Sequence, residues 1–168
     1  MSGAEVLYTS AAISSGVLRT STVLLRPTGE QDVELRKLAD ASSGLWNMAV
    51  YERRQAFFKR SKMPSYGRQY HEFRDTRQFR ALGTCKGQAL LMKLAEAWDS
   101  FWALKRLQKQ GKQPPDVKKV SPPTYWKEDG RRVLRAIYVR NDGWRNLEEK
   151  GLLSVSRTLK VPYTSGQM

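Results

Sequence analysis

The residues best equipped to do chemistry in this chain are cations set among aromatic rings. Between Glu52 and Arg80, nine Lys/Arg stand against three acids, with Phe57, Phe58, Tyr66 and Tyr70 interleaved. The nine include Arg53, Arg54, Lys59 and Arg60. Between Lys105 and Arg140, eleven Lys/Arg stand against three acids, with Tyr125, Trp126 and Tyr138 among them. That second group includes Lys118, Lys119, Arg131, Arg132 and Arg140. The two stretches together account for the whole net charge of +14. Cations release counterions from a phosphate backbone, and aromatic faces stack on unpaired bases. Any one of these residues reads most simply as a solvated charge or a core ring. Taken together, the stretches point to nucleic-acid contact.

Hydrolytic chemistry finds no such support. Two-metal phosphodiester cleavage needs several converging carboxylates, whereas the acids here stand singly beside cations, where ion pairing accounts for them. Glu96 and Asp99 lie one turn apart, a spacing shared by many surface acids. His71 is the one histidine, and between Tyr70 and Glu72 it reads as a surface or stacking residue. Cys85 is the one cysteine; it offers no internal disulfide and no zinc ligand set. Its neighbour Lys86 could lower its pKa, but nothing else suggests a nucleophile. Neither a P-loop nor a GxGxxG motif is present. The chain is therefore read as a non-enzymatic binding protein with no cofactor and no metal.

Several elements must position these groups. A chain of 168 residues suits one domain or two small lobes, and its 40% apolar content can supply a core. Residues 1–17 lack a secretory pattern and read as a flexible extension. No apolar run approaches the roughly 18 residues of a spanning helix, so a cytosolic, nucleoid-associated protein with no membrane partner is expected. Residues 18–27 read as a strand ending at Pro27. Thr28 and Gln31 form a capping-box pattern that opens a helix running to about residue 60, either continuous or interrupted at Gly44. Ser65 can cap a short helix carrying Tyr66, Tyr70 and Phe73. The clearest helix runs over about residues 86–110, with Leu90, Leu91, Leu94, Trp98 and Phe101 on its apolar stripe and Gly111 as its stop. Residues 132–140 and 153–161 read as strands, separated by an Asn141-Asp142-Gly143 turn. The fold class expected is α+β, a helical block of 28–112 inserted between a first strand and returning strands in 113–168.

The order of these motifs resembles the N-terminal half of the TnpB (OrfB) family of transposon-encoded RNA-guided nucleases, which are related to compact type V CRISPR effectors. The pieces that carry the resemblance are Leu25-Arg26-Pro27-Thr28 with Glu30-Gln31, Leu45-Trp46-Asn47-Met48-Ala49, Pro64-Ser65-Tyr66, and the helix Gln88 to Trp102. A strand ending in Leu159-Lys160-Val161-Pro162 completes the series. The resemblance implies a partial wedge-type β-barrel, begun by the first strand and resumed after Arg131, with an inserted helical recognition lobe. It also implies a guide-type RNA and double-stranded DNA as partners. Carried over by position, Tyr66 and Gln88 would face a short DNA motif, with Lys86, Arg140 and Asn141 as looser candidates. Pro115-Asp116-Val117-Lys118 departs from the family's basic loop. The family's RuvC-like nuclease domain and zinc-binding insert have no counterpart in these residues, so cleavage is expected to need a separate RuvC-like chain. Two other readings stay open: a helix-turn-helix-like DNA-binding regulator using a helix pair in 28–60, and a structural subunit of a nucleoprotein complex.

Overall fold

The capping-box residues do what their types dictate. In the computed structural model, which describes residues 5–10, 19–140, 142–156 and 158–165, the Thr28 N–H donates to Gln31 Oε1 at 2.9 Å. The Gln31 N–H returns a bond to Thr28 Oγ1 at 3.4 Å. Two of the first turn's orphan donors are thereby satisfied. With Glu30 and Asp32 also in that turn, helix α1 starts at Gly29 and runs unbroken to Phe58. Gly44 does not interrupt it. A Cβ there would lie 2.9 Å from Gln78 Cγ, so the glycine serves close packing, and no pair of helices exists in 28–60 to build a helix-turn-helix.

The chain divides into two compact units, one of Met1–Leu35 with Asn141–Met168 and one of Arg36–Arg140. The first unit holds an antiparallel sheet of β1 (Glu5–Ser10), β2 (Arg19–Leu25), β5 (Arg145–Leu147), β6 (Leu152–Ser154) and β7 (Lys160–Ser165). Their order is β1-β2-β7-β6-β5. β1 pairs with β2 from Glu5 opposite Leu24 to Ser10 opposite Arg19. Among the described residues no pairing joins the edge strands β1 and β5. Leu25, Leu153, Val155, Leu159 and Val161 are buried here, and Gln31 Nε2 ties α1 to the Lys160 carbonyl at 2.8 Å.

The second unit packs the rest of α1 against α2 (Tyr66–Phe73), α3 (Arg77–Leu82) and α4 (Thr84–Lys109). Its core is Leu45, Ala49, Val50, Phe73, Phe79, Leu90, Leu91, Leu94, Trp98 and Phe101 with their neighbours. Side chains cap both short helices: Ser65 Oγ accepts from the Arg68 N–H, and Thr76 Oγ1 from the Phe79 N–H. Within the described residues no helix is long and apolar enough to cross a membrane.

Four sequence expectations are corrected. Residues 5–10 are a strand and not part of an extension; Val6, Leu7, Tyr8 and Thr9 are strand formers that small neighbours obscured. Residues 133–140 form no strand. After a short hairpin of β3 (Lys127–Glu128) and β4 (Arg131–Arg132), turned by Asp129 and Gly130 at positive φ, the chain lies extended on α1. Helix side chains take up its carbonyls in place of a strand partner: Ser43 Oγ donates to Val133 O at 2.7 Å and Ser42 Oγ to Ala136 O at 2.6 Å. The stretch 153–161 is not one strand but the end of β6, a turn closed by the Val155 N–H on Leu159 O, and the start of β7. The sheet unit resumes after Arg140, not at 113 or Arg131, because residues 113–140 belong to the helical unit.

Candidate nucleic-acid interface

Three of the expected site residues meet at one corner of the helical unit. Tyr66 opens α2, half-buried and stacked 6.4 Å from Tyr70. Gln88 lies in the first turns of α4. Arg140, at the far end of the extended segment, donates from Nη1 to Gln88 Oε1 at 3.0 Å. Burial pushes the Tyr66 phenol pKa up, aided by Tyr70 and opposed by the Arg140 charge, so its hydroxyl keeps its proton. With Gln88 Oε1 turned to Arg140, the corner presents donors: the Gln88 amide NH₂, the guanidinium and the phenol. The bond from Arg140 leaves Gln88 Oε1 one lone pair for an adenine amino group, while the three donors suit acceptor edges such as guanine O6/N7 or thymine O4. Asn141 lies outside the described residues.

Not all the predicted cations reach the surface. Arg53 is 5% exposed and Lys86 9%, and burial pushes both pKa values down. Each projects from the packed side of its helix, so neither is a phosphate contact. Arg53 instead donates from Nε to Gln69 Oε1 at 2.7 Å. Arg54 is half-buried and tethered, with Nη1 on the Pro123 carbonyl at 3.1 Å. Its guanidinium lies 5.2 Å from the Phe58 ring and 5.6 Å from the Tyr125 ring. Arg132 is exposed but ion-paired with Asp40. Lys59, Arg60, Lys118, Lys119 and Arg131 are exposed. Of the predicted cations, these five and Arg140, with the paired Arg132, stand open to solvent.

The aromatic residues divide in the same way. Trp126 is core: its ring stacks on Trp46 at 4.5 Å with planes 12° apart, while Asn47 Oδ1 accepts its backbone N–H at 2.8 Å. Phe58, by contrast, is 62% exposed. Charge and aromatic counts in the sequence could not separate these two fates. The α1 periodicity carries the signal, because Trp46 shares the face of Ala49, Val50 and Arg53. Glu96 pairs with Lys93 at 2.7 Å, and His71 is exposed with its ring against Tyr70. Among the described residues no group of three His, Cys, Asp or Glu side chains comes together.

A helical lobe rich in exposed cations, inserted in sequence between strands of one antiparallel sheet, is the class these features define. No family model matches the chain. The TnpB-like protein ORF457 of Acidianus two-tailed virus is 40% identical over 131 residues. The matched stretch covers 76% of this chain and 27% of that relative. Over that stretch the chain is similar to a TnpB-like protein, of whose own length it spans about a quarter.

Proposed function

We propose that the chain is the nucleic-acid-binding recognition part of an RNA-guided, DNA-targeting system of the TnpB type. In this reading the five-stranded sheet corresponds to part of a wedge-type barrel and the helical unit to the recognition lobe. The exposed cations grip the phosphates of a guide-type RNA and of its duplex with target DNA. The Tyr66–Gln88–Arg140 corner reads acceptor edges of a short double-stranded DNA motif. These residues supply binding and not cleavage, and a RuvC-like nuclease chain is the partner for the cutting step. The observation that carries the reading is that corner: two sequence-distant side chains, Gln88 and Arg140, are joined by a 3.0 Å hydrogen bond beside Tyr66 at the positions the family resemblance picks out.

The test is to purify the chain from its native cells and sequence the RNA that survives a moderate-salt wash. One abundant structured RNA mapping to a transposon end is expected. A heterogeneous mixture that salt removes would overturn the guide-RNA reading. Tight duplex binding without any RNA would favour a DNA-binding regulator, though the single continuous α1 removes the helix pair on which that alternative was built.

A further inference from the structure

Two helices of this chain end in the same backbone motif but with different residues at its critical position. At the end of α4 the Lys112 N–H bonds Leu107 O at 2.9 Å and the Gly111 N–H bonds Gln108 O at 3.2 Å. Gly111 has φ +67°. This is a Schellman cap with glycine in the left-handed position it usually requires. At the end of α1 the Ser61 N–H bonds Ala56 O at 2.9 Å and the Arg60 N–H bonds Phe57 O at 3.2 Å. The geometry is identical, but the left-handed residue is Arg60, with φ +53°. A side chain there strains the backbone in a way glycine would not. Among the described residues no carboxylate pairs with Arg60 to offset that strain, and none pairs with Lys59 or Lys62.

Next to this strained arginine stands the most exposed large hydrophobic side chain of the described residues, Phe58 at 62%. Its ring is held in place. The tethered Arg54 guanidinium lies 5.2 Å from its centroid, and Phe57 meets it edge-on at 5.2 Å with planes 72° apart. The face is fixed yet open to solvent, and three cations with no carboxylate partner among the described residues, Lys59, Arg60 and Lys62, follow it in sequence. The combination matches an unpaired nucleotide, with a ring for the base and cations for the phosphates on either side.

We infer that Phe58 is a stacking platform for one unpaired base of RNA, with Lys59, Arg60 and Lys62 holding the adjoining phosphates and Arg54 orienting the ring. This rests on the RNA-binding reading above and adds to it a specific site for a base outside any duplex. In this view the Arg60 strain persists because the left-handed turn aims the guanidinium at the strand beside Phe58.

The test uses the full chain and a 12-nucleotide single-stranded RNA carrying one 2-aminopurine, read by anisotropy for affinity and by fluorescence quenching for stacking. Wild type should quench the probe. Phe58→Leu should lose the quenching and bind about five- to tenfold more weakly, while Phe58→Tyr should behave as wild type. Because Phe58 is exposed, Phe58→Leu should unfold at the wild-type temperature. Arg60→Gly should raise the unfolding temperature yet lower the slope of log affinity against log salt by about one. Failure of the wild type to bind RNA at all would sink the underlying reading. Salt-dependent binding unchanged in Phe58→Leu, with no quenching, would sink this inference alone. So would equal competition by fully duplex RNA, or the same Phe58 dependence with the DNA version of the probe.

Discussion

Gln69 offers the sharpest test of how the helical lobe is held together. It is completely buried. Its Oε1 accepts from Arg53 Nε at 2.7 Å, and its Nε2 donates to Glu52 Oε2 at 2.8 Å and to Ala49 O at 3.1 Å. Replacing Gln69 with Leu keeps the volume, so no cavity term enters. What is lost is two hydrogen bonds to charged groups, worth about 1.5–3 kcal/mol each. Glu52 is partly exposed and regains water, so its bond counts at the lower end. Arg53 is 5% exposed and cannot regain water; its charge is balanced only through space by Glu52 and Asp99. The cost of Gln69→Leu is therefore about 3–5 kcal/mol, in line with stranding a buried charge and a large part of a typical 5–15 kcal/mol stability. Arg53→Met should cost less, because the Gln69 amide nitrogen keeps both its bonds. The double variant Arg53→Met/Gln69→Leu should recover about 2–3 kcal/mol relative to the sum of the singles. Urea unfolding followed by tryptophan fluorescence measures all four corners of the cycle. A cost for Gln69→Leu below about 1 kcal/mol, or strictly additive singles, would refute the reasoning.

Three further outcomes follow from the packing and the charges. Gly87→Ala would put a Cβ 2.5 Å from the buried Phe79 ring, and the overpacking, about 1–3 kcal/mol, outweighs the gain in helix propensity; Gly67→Ala, with nothing within 4 Å, should instead stabilise, and thermal melts of the pair give opposite signs if this holds. Burial raises the Glu52 carboxyl pKa above its ordinary value, ahead of the opposing Gln69 bond and Arg68 charge. The folded chain thus binds that proton more tightly than the unfolded one, and stability falls as pH rises from the ordinary carboxylate range through the raised value; Glu52→Gln should flatten that arm in urea midpoints taken across about pH 4–7. Lys86→Met removes a desolvated ammonium without removing a surface cation, so the salt slope of nucleic-acid binding should stay at the wild-type value; a slope reduced by about one would return Lys86 to the interface.

Local chemistry was the most legible part of this molecule. The Thr28/Gln31 box, the Ser65 cap and the Gly111 stop each depend on a few adjacent residues, and each stands in the structure where its residue types put it. Helix α3 was hidden because its six residues are too few to show a period. The segment 133–140 misled because β-branched and apolar residues describe an extended chain equally well with or without a strand partner; the partner turned out to be the Ser42–Ser43 side of a helix some 90 residues earlier. For the site, charge density located the surface but not the individuals. Arg53 and Arg54 are cations like Lys59 and Arg60, and only the rotation of α1, which buries one and tethers the next, and its end at Phe58, which leaves the last two open, tell them apart.

The extended segment carries a consequence for motion. Its attachment to α1 runs through side chains: Ser42, Ser43, Trp46, Asn47 and Arg54 bond its backbone from Pro123 to Ala136. None of those bonds belongs to the helix's own ladder, so the segment can peel away as one cooperative unit while α1 stays intact. Exchange of the Trp126 amide, which bonds Asn47 Oδ1, and of the Val133 amide, which bonds the Trp126 carbonyl, would then report that subglobal opening, ahead of exchange in the α1 and α4 cores. Tyr125, which lies against Arg54, and Arg140, which engages Gln88, both travel with it. A single opening event would thus loosen the ring clamp at Phe58 and dismantle the donor corner at Tyr66 together, and a polyanion that engages either place would slow exchange at Trp126.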